Sequence, residues 1–131
     1  VCLVNVESVA ALGRLEDFAG VEDVDALLIG PHDLSISMDM PEDYGNQKFT
    51  DAIQRVIDVG RGAGKGVGFH FSFGIEYAQR WAEMGANLIV HSTDIFLVQQ
   101  HLTSEIGMLR DALGDDGPER GGDGTGSTVT V

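Results

Sequence analysis

The stretch Ala26-Leu27-Leu28-Ile29-Gly30-Pro31-His32-Asp33-Leu34-Ser35 decides the fold. A buried apolar run stops at Gly30-Pro31 and delivers one acid, Asp33, to the mouth of a strand, where metals and substrates are held. The same grammar occurs upstream, because Val1-Cys2-Leu3-Val4-Asn5-Val6 is an apolar run that delivers Glu7. Two acids at two strand ends predict one divalent-metal site.

Working outward, the chain reads as four repeats of strand then helix. The first strand covers residues 2 to 6, and its helix runs from Ser8 to about Phe18 with Val9, Leu12, Leu15 and Phe18 at helical spacing. The second strand, Ala26 to Ile29, leads through a polar loop containing Pro41 and Gly45 to a helix from about Gln47 to Gly60. The third strand is about Val67 to Ser72, followed by a helix from Ile75 to Met84. The last strand, Leu88 to His91, opens through Thr93-Asp94 into a long helix carrying Ile95, Leu97, Val98, Leu102, Ile106 and Leu109. Strands alternating with helices at this pitch mean α/β architecture with a parallel sheet, either half of an eight-stranded barrel or a small open sheet. In both, the residues that follow the strands gather at the C-terminal face, which collects Glu7, Asp33, Ser72 and the stretch His91 to Asp94. Beyond Leu113 the composition turns to Gly, Asp, Ser and Thr, so residues 114–131 are expected to form a disordered acidic tail.

The 131 residues suffice for one domain, and the net charge of −13 argues against nucleic acid or an anionic membrane as partner. Lysine is confined to Lys48 and Lys65 while acids run along the whole chain, which fits a protein working at high salt. Cys2 is the single cysteine, so a disulfide framework and a thiolate cluster are excluded and a cytoplasmic location is expected. No apolar stretch approaches the roughly 20 residues of a membrane helix. A sheet-like run beginning at Val1 leads us to expect the C-terminal part of something longer.

Hard oxygen ligands at Glu7 and Asp33 suit magnesium, manganese or cobalt, and two carboxylates leave coordination positions for water and a chelating substrate. Enzymes that make carbanions use that arrangement, since a cation beside a keto oxygen stabilises an enolate. The residues also admit plainer roles: Glu7 suits the first turn of a helix, and Asp33 a helix or turn cap beside Ser35. Gly30-Pro31-His32 either lets backbone approach a ligand closely or simply ends a strand. The run Gly60 to Gly68 meets neither the dinucleotide nor the P-loop spacing and precedes its strand, so it is expected to close a helix on the far face. His70, between Phe69 and Phe71, is expected as a buried, hydrogen-bonded core residue, and His101 as a solvated one. Trp81, Phe69, Phe71 and Phe73 are expected in the layer between sheet and helices.

With Asn5-Val6-Glu7-Ser8, Asp25 through Ser35 and Ser92-Thr93-Asp94 in view, residues 1 to about 113 resemble the HpcH/HpaI aldolases, grouped with the citrate lyase beta subunit. Gly-Pro-x-Asp-Leu-Ser is the most specific piece. The resemblance implies the second half, four βα units, of a pyruvate-type TIM barrel over 1–113, and cleavage of a 4-hydroxy-2-oxo acid to pyruvate and an aldehyde. By that analogy Glu7 and Asp33 hold the metal, and Asn5, Gly30, His32 and Asp33 contact the 2-oxo acid. Asn5, Ser8 and His32 depart from the family's usual glutamine, threonine and small residue. The family's basic histidine, its aspartate and its arginine belong to the first half, so no catalytic base is assigned to this one. A homo-oligomer, or completion by the N-terminal half-barrel, is therefore expected. Rival readings are an inactive remnant and an acyl-CoA lyase of the citrate lyase beta type.

Overall fold

The computed structural model describes residues 1–71 and 74–115. Its strands are β1 (Leu3–Val6), β2 (Ala26–Ile29), β3 (Gly66–Phe71) and β4 (Leu88–His91). They form one parallel sheet in the order β1-β2-β3-β4, with Val6 beside Ile29 and Ile29 beside Phe69. The helices are α1 (Val9–Leu12), α2 (Leu15–Ala19), α3 (Pro31–Ser37), α4 (Gln47–Gly62), α5 (Ile75–Glu83) and α6 (Asp94–Leu113). The chain divides into two compact units, Val1–Thr93 and Asp94–Val131.

Within the first unit, strand side chains alternate between two faces. Val6, Leu27, Ile29, Val67, Phe69 and Phe71 point to the helices and are buried. Phe49, Ile53, Val56 and Ile57 of α4 meet them, and Gly60 brings that helix so close that a Cβ there would strike Val67. Trp81 of α5, fully buried, stacks edge-on at 5.2 Å from Phe69 and 5.1 Å from Phe71. The other face carries Leu3, Asn5, Leu28, Leu88 and Val90, all exposed or half-buried. A parallel sheet covered on one side only is the form expected of part of a larger closed structure, since parallel sheets are buried on both faces.

Most expected elements are present within two residues of their predicted ends. Three points differ. The helix expected from Ser8 to Phe18 is broken into α1 and α2 at Gly13-Arg14, where Arg14 leaves helical geometry at φ −129°. The loop after β2 is not wholly irregular but opens with α3, whose first position is Pro31, a residue pre-set for a helix start. His70 is exposed rather than buried, because strand alternation turns it away from Phe69 and Phe71. The glycine run closes α4 on the far face as expected, with Gly64 at φ +74° making the turn into β3. Ser72, Phe73 and the expected tail, apart from Gly114 and Asp115, lie outside the described residues.

The second unit is described through α6, none of whose residues is buried. Its exposed side chains include Ile95, Leu97, Val98, Leu102, Ile106, Met108, Leu109 and Leu113. Among the described residues no helix is long and apolar enough to cross a membrane.

Tyr44 anchors the loop after α3 in the aromatic cluster, 5.0 Å from Phe71 and 5.6 Å from Phe49. Burial raises its phenol above the usual 10.0, the Glu42 charge adds to this, and a hydrogen bond with Ser35 opposes it. A folded-state value raised above the unfolded one stabilises fully below about pH 10 and is lost as pH rises through the folded value. The unfolding free energy should therefore fall above pH 10, and Tyr44→Phe should reduce that fall. Urea midpoints from pH 8 to 11 measure it; identical slopes in the two proteins would refute the assignment.

Candidate functional site at the C-terminal ends of the strands

Glu7 leaves β1 one residue beyond the pair formed by Val6 and Ile29, and Gly30 leaves β2 beside it. Gly30 donates its N–H to the Val6 carbonyl at 3.2 Å, so the ladder continues to the mouth. The Glu7 side chain does not project outward. It lies across Gly30, and a Cβ on Gly30 would sit 2.6 Å from Glu7 Cγ and 2.7 Å from Oε1. Only glycine permits this approach. Asn5, two residues back on the same face, donates from Nδ2 to Glu7 Oε1 at 3.0 Å and fixes the carboxylate's second coordinate.

Asp33 sits in the first turn of α3, exposed, and its carboxylate has no hydrogen bond or ion pair among the described residues. One side-chain bond joins the loops that carry the acids. Ser8 caps α1 by accepting from Ala11 N–H at 3.1 Å, and the Val9 N–H donates to Ser37 Oγ, at the end of α3, at 3.0 Å. Neither Ser37 nor this stitch was legible in the sequence, since a serine at the end of a short helix carries no signal of its partner.

His32 is exposed, with Nδ1 3.5 Å from Glu42 Oε1. Fully buried Ser35 organises this edge: its hydroxyl donates to the His32 carbonyl at 2.7 Å and accepts from the Glu42 N–H at 3.0 Å. Glu42 thereby takes a left-handed φ of 59°, a conformation costing a non-glycine residue about 1–2 kcal/mol. Glu42 was missed because it stands in a polar loop among other acids. His91 is exposed, and His101 is a solvated α6 residue 3.4 Å from Glu105. Cys2 is free and exposed.

Asn5, Glu7, Gly30, His32 and Asp33 thus share one end of β1 and β2. Among the described residues no three His, Cys, Asp or Glu side chains are grouped to hold a metal ion. Glu7 and Asp33 are the two carboxylates at these strand ends. Glu7 is pre-positioned against the Gly30 backbone, and the Asp33 carboxylate has no protein partner among the described residues.

Parallel βα units with acids at the strand mouths form a portion of an α/β barrel. The HpcH/HpaI aldolase/citrate lyase family model matches residues 1–100, and the chain belongs to that family. It is 34% identical over 116 residues to a 2-keto-3-deoxy-L-rhamnonate aldolase of Escherichia coli, covering 88% of this chain and 42% of that protein. A crystal structure of an HpcH/HpaI aldolase/citrate lyase family protein from Burkholderia cenocepacia superposes with a TM-score of 0.76 at 29% identity, over 82% of this chain and 42% of the other. An HpcH/HpaI aldolase from Desulfitobacterium hafniense shares the fold, with a TM-score of 0.74 at 20% identity over 89% and 43%. The chain spans less than half the length of the relatives it matches.

Gly30→Ala should drive the Glu7 carboxylate off its seat. Retained circular dichroism with divalent-ion affinity at least about tenfold weaker is the expected outcome, as for loss of a ligand-positioning contact. Unchanged affinity would show that Glu7 does not need the gap over Gly30.

Proposed function

We propose that the protein carrying this chain is a divalent-metal-dependent aldolase that cleaves a 4-hydroxy-2-oxo acid of the 2-keto-3-deoxy sugar acid type to pyruvate and an aldehyde. The observation that carries this reading is the Glu7 carboxylate laid across Gly30, three residues before Asp33 in the first turn of α3. Magnesium, manganese or cobalt suits the two carboxylates. The ion, when bound, supplies positive charge next to the 2-oxo group, which takes up the electron pair of the breaking C3–C4 bond.

This chain's own residues bind and orient. Glu7 and Asp33 hold the cation, Asn5 keeps Glu7 from swinging away, and the backbone at His32 and Asp33 meets the carboxylate end of the 2-oxo acid. Gly30, lacking a side chain, leaves the space over β2 in which the Glu7 carboxylate sits. Proton transfer to and from the aldehyde oxygen is assigned to no residue here. We assign it to the groups that cover the open face of the sheet, in an N-terminal half-barrel or a second copy. Residues 1–113 form the half-barrel portion in this reading, working in the cytoplasm. An acyl-CoA lyase would need cationic groups for the phosphates of CoA. Asn5, Glu7, His32, Asp33 and Glu42 supply none.

Calorimetry of this chain with manganese and then pyruvate tests the reading. Saturable binding of one ion, followed by pyruvate only when the ion is present, is expected, and Asp33→Ala should abolish both. Free ion at about 100 times Kd should add about 2.7 kcal/mol to the unfolding free energy. Absence of ion binding by the folded chain would refute the proposal. The acidic surface predicts separately that the melting temperature rises from dilute buffer to molar salt as repulsion is screened. A flat response would remove the high-salt reading.

A further inference from the structure

α3 is only seven residues long, too short to be stable by itself, so the contacts made by its faces decide where Asp33 stands. Positions three and four apart share a helix face, which divides α3 into three. Pro31, Leu34 and Ser35 are buried and form the face toward the core. His32 and Ile36 form a second face, exposed, with His32 Nδ1 3.5 Å from Glu42 Oε1. Asp33 and Ser37 form the third, one turn apart and both exposed. Ser37 Oγ accepts the Val9 N–H at 3.0 Å, so the face that carries Asp33 is the one turned to the chain that follows Glu7.

The Val9 N–H is one of the donors that open α1, and the first N–H groups of a helix have no carbonyl partner within it. Ser8 Oγ takes the Ala11 N–H and leaves that of Val9 to α3. The bond lies close to both acids in the chain, two residues after Glu7 and four after Asp33. Glu7 has its own seat, made by Asn5 and Gly30. Asp33 moves with α3. Leu34 and Ser35 set how deep that helix sits, and the Ser37 bond sets its roll about them.

We propose that Ser37 is a positioning residue of the cation site: its bond to Val9 holds Asp33 toward Glu7 at the span a magnesium-sized ion needs, so that the site discriminates against calcium. This rests on the reading of Glu7 and Asp33 as cation ligands. Magnesium takes oxygen ligands at about 2.0–2.1 Å in near-ideal octahedral geometry, whereas calcium accepts about 2.3–2.6 Å in flexible geometry. A loosened α3 therefore costs the smaller ion more. Without the bond Asp33 faces Glu7 for a smaller fraction of the time, and the apparent affinity falls by that fraction. Ser37 itself touches neither the ion nor the 2-oxo acid in this account.

The bond can be removed from either end. Ser37→Ala deletes the acceptor at an exposed position. Val9→Pro deletes the donor at the first position of α1, where proline is tolerated, and Ser8 already holds the extended conformation that a proline requires of its predecessor, φ −150° and ψ 158°. The test is calorimetry of the full chain with magnesium chloride and, separately, with calcium chloride. The wild-type chain should prefer magnesium. Each variant should bind magnesium about fivefold more weakly, the size of one neutral hydrogen bond, and calcium less than about twofold more weakly. The double variant should lose no more than either single one, because both remove the same bond. Ser37→Thr, which keeps Oγ, should restore the wild-type ratio of the two affinities. The wild-type Val9 amide should also exchange with deuterium more slowly once magnesium is bound, since the ion and the bond favour the same arrangement. A wild-type preference for calcium, unchanged magnesium affinity in either variant, equal losses for the two ions, additive losses in the double variant, no rescue by Ser37→Thr, or a Val9 amide indifferent to magnesium would overturn the proposal while leaving the cation site in place. Failure of the wild-type chain to bind either ion would overturn the cation-site reading and this proposal with it.

Discussion

Glu7 rests where the side chain of residue 30 would otherwise be, with 2.6 Å from its Cγ to the position of a Cβ there. The placement of the Glu7 carboxylate depends on that contact. A glutamate at a strand end would ordinarily sample several rotamers in water, at an entropic cost whenever it had to hold a ligand. Here the bond from Asn5 and the bare backbone of Gly30 remove that freedom in advance. The stitch from Val9 to Ser37 then keeps the loop bearing Asp33 in register with the loop bearing Glu7. Preorganisation of this kind is what a two-carboxylate cation site needs, because the ion gains little from protein ligands that must first be ordered.

The second constraint is the sheet's asymmetry. One face packs against α4 and α5 through fully buried Phe49, Phe69 and Trp81, and the other shows Leu3 at 45% and Val90 at 39% exposure. β1 and β4 are the two edge strands of the sheet among the described residues. A hydrophobic edge of that kind recruits further strands or aggregates. The match of this chain to less than half of its relatives' length agrees with that picture. The open face at the strand ends is the face on which Asn5, Glu7 and His70 stand, so whatever covers the sheet also closes the site.

Strands and the larger helices were legible because each is an apolar run or a helical stripe of sufficient length, and the acids after β1 and β2 followed from where those runs stop. The family motif added the same two residues independently. Short-range features were not legible. α3 is seven residues with two serines and an aspartate, and only its leading Pro31 marked it as helix. The break at Gly13-Arg14 interrupts a stripe that periodicity alone reads as continuous. His70 was misplaced because its aromatic neighbours suggested a core, whereas the period of two assigns it to the opposite face from both. The partnership of Ser35 with Glu42 spans seven positions through a turn of left-handed backbone, and nothing in local composition encodes it.

The central claim is that Glu7 and Asp33 form one cation site although twenty-six positions separate them in the sequence. Titrating the ¹⁵N-labelled chain with substoichiometric Mn²⁺ tests it directly, since paramagnetic broadening reports distance to the ion. The account predicts that the amides of Asn5 to Ser8 and of Gly30 to Leu34 broaden first and together, along one saturation curve. Early broadening centred instead on another acidic stretch, such as Glu22 to Asp25, or separate curves for the two loops, would contradict it.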